Sequence, residues 1–283
     1  MRWRNRQGSR NVEDRRKLGG KKTVGGGLGF IAVAIVVMLM GGDPTYFLQE
    51  GVSRTIESRT QGTSNLSEDQ QQELAEFASV VLAETEDTWG RYFAANGQRY
   101  PEPSLVLFSG GVRSACGQAQ SAMGPFYCPA DQKLYIDLDF FHDLRTRHGA
   151  PGDFAQAYVL AHEVGHHIQT ITGISDKVRS AQRQTNKAGQ NELQVKMELQ
   201  ADCLAGVWAN HTQQRTQFLE SGDLQEALEA AEAVGDDTIM KRAGMAPRRE
   251  AFTHGSAKER MDWFNRGSNT GNFGSCDTFQ GGI

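Results

Sequence analysis

Two histidines and a glutamate form an H-E-x-x-H pattern between His162 and His166. Residues four apart lie on the same face of an α-helix, so both imidazoles can offer a nitrogen to one metal ion. Glu163 follows about 100° further round the helix, where its carboxylate can lie beside the ion and take a proton from water. The pattern requires a helix, and on a helix it predicts a zinc site with Glu163 as the general base.

The residues around this pattern predict that helix. Pro151 and Gly152 form a turn signal, and Asp153 and Gln156 stand three apart in the manner of a capping box. Gly173 is a suitable residue to follow the last turn. Apolar residues recur every three or four positions, as on a core-facing helix: Phe154, Ala157, Ala161, Val164, Ile168 and Ile171. The alternative is a surface helix on which the three polar residues meet by chance.

A pair of acidic residues further along the chain supplies the next candidate ligand. A catalytic zinc site needs three protein ligands and leaves its fourth position to water. Glu198 and Asp202 stand four apart in a helical pattern over about residues 191–210, so Glu198 can bind the metal while Asp202 accepts the free ring N–H of a ligand histidine. A solvated pair of carboxylates is the alternative. If Glu198 does not bind, His254 and His211 are the candidates for third ligand.

Three runs of sequence together resemble a known family. They are H-E-x-G-H-H-x-Q from His162 to Gln169, E-L-Q-A-D-C-x-A-G from Glu198 to Gly206, and F-T-H-G-S-A from Phe252 to Ala257. Over nearly its whole length the chain is similar to the bacterial neutral zinc metallopeptidases of the YpfJ type. The resemblance implies a zincin-like catalytic domain whose substrate is a protein or peptide.

The same resemblance implies roles for individual residues. Zinc is the implied cofactor, held by His162, His166 and Glu198, with Glu163 as the base. The E-x-x-x-D spacing of Glu198 and Asp202 also resembles that of membrane-linked gluzincin peptidases.

Charge is unevenly distributed along the 283 residues. Residues 1–22 hold nine basic residues against Glu13 and Asp14, a net charge of +7, which leaves −11 for the rest of the chain. An acidic main domain argues against nucleic acid as a partner.

Residues 23–42 contain no charged side chain and predict a transmembrane helix. Twenty residues at about 1.5 Å each cover about 30 Å, the thickness of the hydrocarbon layer. The preceding basic cluster predicts a cytoplasmic N-terminus, with the chain after Asp43 in the periplasm or outside the cell. A cleaved signal peptide is one alternative, although residues 38–42 do not match a cleavage site. A buried core helix is the other, although it would not explain the basic cluster.

The chain is therefore predicted to have four parts: a basic cytoplasmic tail (1–22), a helix in the inner (plasma) membrane (23–42), a linker (43–66) and the zincin-like domain (67–283). Ser67 and Gln70 predict a capping box at the start of a long amphipathic helix in that domain.

Two short runs, 105–108 and 133–138, have the composition of strands. Since the other patterns are helical, we predict an α+β domain, mostly helical with a small sheet. The 133–138 run is either an edge strand that pairs with an extended substrate or an ordinary core strand.

Four cysteines allow three pairings. In an oxidising compartment we favour Cys116 with Cys128, which closes a short loop, and Cys203 with Cys276. Unpaired buried thiols are the alternative.

The last third of the chain contains one more candidate site residue. Residues 223–240 are acidic and rich in alanine, which predicts a surface helix, and Ser256 with Glu259 predicts another capping box. His254 lies in the loop before that box. It either stabilises the oxyanion of a tetrahedral intermediate or only ties the loop to its neighbours.

These features predict a membrane-anchored zinc metallopeptidase in which Glu163 is the base and His254 a second catalytic candidate. One alternative is a membrane-tethered scaffold with structural zinc, which would have four protein ligands. Another is a zinc hydrolase of non-peptide amides or esters.

Overall fold

A four-stranded sheet packs against helices in the computed structural model of the chain, which describes residues 1–16, 64, 66–120 and 124–280. The order across this sheet is β1 (Val12–Asp14), β2 (Ser104–Phe108), β6 (Lys133–Asp137) and β5 (Phe126–Cys128). Strand β2 runs parallel to both β1 and β6, whereas β5 is antiparallel to β6. A separate antiparallel hairpin comprises β3 (Gly111–Ser114) and β4 (Gly117–Gln120).

Helices make up most of the described residues, so the predicted α+β class with a small sheet is confirmed. Their bounds are α1 (Glu68–Ala95), α2 (Asp139–Thr146), α3 (Asp153–Ile171), α4 (Ile174–Gln182), α5 (Lys187–Thr216), α6 (Asp223–Ala233), α7 (Asp236–Arg242) and α8 (Ala257–Thr270). Single 3-10 turns lie at Arg249–Ala251 and Phe273–Cys276.

The strand at 133–138 is a core strand. β6 lies between β2 and β5, so the prediction that it forms the sheet edge is wrong and the alternative holds. β5 occupies that edge instead. With three residues it is too short to show the alternation that identifies a strand in sequence.

The N-terminal residues belong to the domain. Val12 to Asp14 pair with Leu105 to Leu107, and Trp3 is 7% exposed and packs edge-on against Phe77, with ring centroids 5.4 Å apart. The prediction of a separate tail at 1–22 and a domain that begins at 67 is therefore wrong for residues 1–16.

Charge complementarity helps hold this segment in place. Arg6 donates to Glu84 at 2.7 Å, and Lys133 of β6 pairs with Glu13 of β1. The Met1 ammonium lies 3.0 Å from a carboxylate oxygen of Asp153. The basic N-terminal segment is thus held to the acidic domain partly by ion pairs.

The contact between the Met1 ammonium and Asp153 also explains why the capping box predicted at Asp153 and Gln156 is absent. The N-cap of α3 is Gly152, without a side-chain cap, and Asp153 in the first turn accepts from Met1. The other two predicted capping boxes, at Ser67 with Gln70 and at Ser256 with Glu259, are both formed. Gly173, with φ of 76°, follows the end of α3 as predicted.

The predicted membrane helix at 23–42 lies outside the described residues, as does nearly all of the predicted linker. Within the described ranges, the search for a helix long and apolar enough to span a bilayer finds no candidate.

Both preferred disulfides are formed, Cys116–Cys128 and Cys203–Cys276. The first ties the β3–β4 turn to β5, and the second ties the C-terminal turn to α5. The acidic segment at 223–240 is two helices rather than one surface helix. It breaks at Gly235, where an added Cβ would lie 2.4 Å from the backbone nitrogen of Ala257, and α6 buries Ala227, Ala230 and Ala231.

Close helix crossings bring the site together. An added Cβ on Gly165 of α3 would lie 2.9 Å from the Cα of Ala201 on α5. An added Cβ on Gly206 of α5 would lie 2.2 Å from the backbone oxygen of Phe264 on α8. Helices α3 and α5 therefore meet at backbone contact beside the H-E-x-x-H turn, and α8 lies against the other part of α5.

Candidate metal centre

Three predicted ligands converge between α3 and α5. The Nε2 atom of His162 lies 3.2 Å, and that of His166 3.6 Å, from Oε2 of Glu198. The three donor atoms all lie within 4.8 Å of one another. His162 and Glu198 are each 6% exposed, so the donors are shielded from bulk solvent.

These separations fit a zinc ion. Nitrogen and oxygen ligands about 2.0–2.2 Å from a tetrahedral ion lie about 3.3–3.6 Å from each other. The two imidazole nitrogens and one carboxylate oxygen are also the donor set of a catalytic rather than a closed structural site.

A buried carboxylate fixes the orientation of His162. Its Nδ1 lies 2.7 Å from Oδ1 of Asp202, and since a carboxylate only accepts, Nδ1–H is the donor and Nε2 is the nitrogen left for a metal ion. Asp202 therefore has the position predicted for it.

Arg260 of α8 holds Asp202 in its ionised form. Its Nε and Nη2 atoms lie 2.8 Å from the two oxygens of Asp202, and the Tyr158 hydroxyl donates to the same carboxylate. Burial opposes the charge, but Arg260 and His162 outweigh burial and lower the pKa of Asp202 to about 2. The network is a paired, buried charge cluster behind the metal ligands.

The other two ligands are oriented by glutamine side chains. Nδ1 of His166 lies 2.9 Å from Oε1 of Gln169, whose amide nitrogen donates to the Met197 carbonyl at 2.7 Å. Oε1 is therefore the acceptor, so Nδ1–H of His166 donates and Nε2 is the nitrogen left for a metal ion. Gln194 donates to the second oxygen of Glu198 at 2.8 Å.

The candidate base and the loop histidine face the same cleft. Glu163 and His254 line a cavity of about 520 Å³ together with the three ligands. One wall comes from the loop before β5 and from β5 itself, the other from α4 and the first turns of α5. A group bound at the ligands would thus have a carboxylate beside it.

Asp236 holds the His254 loop. One of its oxygens accepts from the backbone nitrogens of Thr253, His254 and Gly255 at 2.7, 2.6 and 2.9 Å. The other lies 3.2 Å from Nδ1 of His254. When Nδ1 donates to Asp236, Nε2 is free to act at the cleft.

Two further histidines lie away from the ligands. His167, which follows His166 on α3, has Nε2 2.6 Å from the Pro101 carbonyl and Nδ1 3.0 Å from the Tyr127 hydroxyl. Burial lowers the pKa of His167 to about 4, so it is neutral and ties β5 to the metal helix. His211, a substitute ligand in the sequence prediction, contacts the Gly271 carbonyl at 2.8 Å.

Sequence reasoning missed Arg260, Tyr158 and Asp236. Arg260 had one signal: it stands four residues before buried Phe264, on the face of α8 that faces the core. An arginine on an apolar stripe requires a buried partner. Asp236 had no comparable signal, because its partners are backbone groups 17 to 19 residues away.

Two histidines on one helix, joined by a glutamate from a second helix, form a group that can hold a metal ion. The chain belongs to the putative neutral zinc metallopeptidase family, which matches residues 1–279. Zinc is the metal that this family implies, and the three donors suit it.

Similarity to two relatives covers nearly the whole chain in one case and about two thirds of it in the other. Uncharacterized protein YpfJ of Escherichia coli (strain K12) is 46% identical over 288 residues, which cover 99% of each chain. Uncharacterized protein Rv2575 of Mycobacterium tuberculosis (strain ATCC 25618 / H37Rv) is 44% identical over 190 residues, 64% of this chain and 63% of that protein. The search of solved structures gave no significant match.

Proposed function

We propose that this chain is a zinc-dependent peptidase that hydrolyses peptide bonds with water. The observation that carries the proposal is the convergence of His162, His166 and Glu198 at a cleft that also contains Glu163. Three protein donors with the carboxylate of Glu163 beside them fit a hydrolytic site better than the structural zinc site of a scaffold, which would need a fourth protein donor.

Each side chain has a defined task in this proposal. Zinc, when bound, would supply Lewis-acid polarisation of the scissile carbonyl and would acidify a water molecule. Glu163 takes a proton from water at its carboxylate and later delivers it to the leaving amine. His254 takes part as the imidazolium, with Nδ1–H donating to Asp236, so that Nε2–H can donate to the oxygen that gains negative charge.

We propose that an extended substrate pairs with the edge of β5. This strand ends the described sheet, and Phe126 and Tyr127 line the cleft. Strand addition would place the backbone of the substrate across the ligands and leave side-chain selection to the two walls.

We further propose that the domain works in an oxidising compartment, the periplasm or the cell exterior. Two disulfides support this location. The apolar residues 23–42 support attachment to the cell membrane.

The test compares the full-length wild type with Glu163→Gln on a denatured protein substrate, with zinc measured in the same samples. We expect cleavage by the wild type only, at equal zinc content, because glutamine keeps the shape of the side chain but cannot take the proton. Cleavage by Glu163→Gln would remove Glu163 from the role of base. Equal zinc without cleavage by either protein would contradict the peptidase proposal.

A further inference from the structure

A second groove, of about 410 Å³, adjoins the metal cleft. The two cavities share Arg179, Gln182 and Gln194 as lining residues. The groove also reaches Thr253, the neighbour of His254. A peptide bound across the ligands could therefore continue into it.

The charges that line this groove have one sign. Arg179, Arg183 and Lys187 are its ionisable residues, and its other lining residues are amides and a threonine. Arg179 already pairs with Asp176 at 2.6 Å. Among the described residues, Arg183 donates to the Ser180 hydroxyl, and neither it nor Lys187 forms an ion pair.

The groove is basic, whereas the rest of the domain is acidic. The chain after residue 22 has a net charge of −11, yet residues 176–187 contain four basic residues and one acid. Helix α5 also begins at Lys187, so its first turn adds the positive end of a helix dipole. An anion is the ligand that these features favour.

We infer that this groove binds a carboxylate of the peptide, so that the enzyme prefers substrates with negative charge several residues from the scissile bond. The inference rests on the proposed peptidase function. The carboxylate is either an acidic side chain or the free C-terminus, since both offer the same two oxygens to arginine and lysine.

The experiment uses quenched fluorescent peptides of one sequence. Glu, Gln or Lys is placed at each of several positions on both sides of the bond, and each peptide has a free or an amidated C-terminus. The full-length wild type is compared with Arg183→Glu and Lys187→Glu. Lys177→Glu is the matched control, because it makes the same charge change on α4 but lines neither cavity.

We expect kcat/KM of the wild type to favour Glu over Gln at one or more positions by about tenfold at low salt, and less at high salt. The preference should fall toward unity in Arg183→Glu and Lys187→Glu and persist in Lys177→Glu. A loss on amidation, with no effect of internal Glu, would identify the C-terminus as the source of the carboxylate.

Binding to Glu163→Gln, measured by calorimetry with the same peptides, separates two kinds of failure. Cleavage by the wild type without charge preference, or an equal loss in Lys177→Glu, would overturn the carboxylate site and leave the peptidase proposal intact. No cleavage and no binding of any peptide would contradict both. Binding without cleavage, with a Glu preference lost in Arg183→Glu, would support the site and contradict the peptidase.

Discussion

Asp202 illustrates how one residue organises the centre. It accepts from His162, Arg260 and Tyr158 and has no exposed surface. An ionised carboxylate without these partners would be expensive to bury. The arginine therefore stabilises the carboxylate, and the carboxylate in turn orients the ring of His162 so that Nε2 faces the space shared with His166 and Glu198.

We expect Asp202→Asn to weaken zinc binding about 10- to 100-fold, because the neutral amide supports the ligand histidine less strongly. Competition with a chromophoric chelator measures this change. Asp262→Asn, on the exposed side of α8, is the control and should bind zinc as the wild type does. Unchanged affinity in Asp202→Asn would show that the hydrogen bond does not contribute to metal binding.

His254 can be separated from the ligands by a second variant. Since it acts on the developing negative charge, His254→Ala should lower kcat about 100-fold and leave zinc content unchanged. Asp236→Asn should lower kcat in the same direction, because one of the two acceptor oxygens that hold the loop and the ring becomes an amide donor. Zinc loss in His254→Ala would instead indicate a ligand role, and an unchanged kcat would leave His254 with only the structural role of tying the loop.

At the scale of single residues, the sequence predicts the relative positions of side chains that lie within one or two turns of the same helix. His162, Glu163 and His166 lie on one helical turn, and Glu198 and Asp202 are one turn apart, so their relative positions follow from helix geometry. Arg260 is 58 residues from Asp202. Their contact depends on how α8 packs on α5, which no local pattern specifies.

Among the elements, the crossing of α5 and α8 requires glycine on both helices. An added Cβ on Gly206 would lie 2.2 Å from the Phe264 backbone oxygen, and one on Gly267 would lie 1.9 Å from that of Cys203. Real Cβ atoms do not approach backbone so closely. Any side chain there would push α8, and with it Arg260, away from the metal centre.

We therefore expect Gly206→Ala to lower the free energy of unfolding by about 2 kcal/mol or more. Gly90→Ala is the matched control: Gly90 lies inside α1, and an added Cβ there would meet nothing within 4 Å. Alanine should raise stability at that position by about 0.5–1 kcal/mol. Urea unfolding measures both, and equal effects of the two changes would contradict the close crossing.

The helices were easier to predict than the strands for a physical reason. A long amphipathic helix displays its period several times, as α1 and α3 do. β1 and β5 have three residues each and are strands only because partners distant in sequence supply their hydrogen bonds. The sequence therefore predicts the wrong strand, β6 instead of β5, for the sheet edge beside the cleft.

At the scale of the whole molecule, the pairing of β1 with β2 leads to a testable prediction about membrane topology. Residues 1–16 pack with the domain that holds the candidate metal centre, so we expect both to lie on the same side of any membrane that residues 23–42 enter. A single crossing by residues 23–42 would separate them. The sequence prediction of a cytoplasmic N-terminus and an external domain does not agree with this packing.

Cysteine labelling measures the topology directly. All four native cysteines are paired, so Arg10→Cys and Lys258→Cys each introduce one exposed thiol. We expect both to react equally with a membrane-impermeant maleimide in intact cells, as they do after lysis. Labelling of Lys258→Cys alone would support a single membrane crossing by residues 23–42. Labelling of neither variant before lysis would contradict the proposal that the domain lies in the periplasm or outside the cell.

The ion pairs of the N-terminal segment change how its charges should be counted in protein export. Five of its six basic residues already face carboxylates: Arg2 with Glu220, Arg4 with Glu73, Arg6 with Glu84, Arg15 with Glu13 and Arg16 with Asp14. A charge that is neutralised within the folded domain does not mark which face of the membrane the chain must keep. Arg10, Lys17, Lys21 and Lys22 then remain, before the apolar run, as a signal for the translocation machinery.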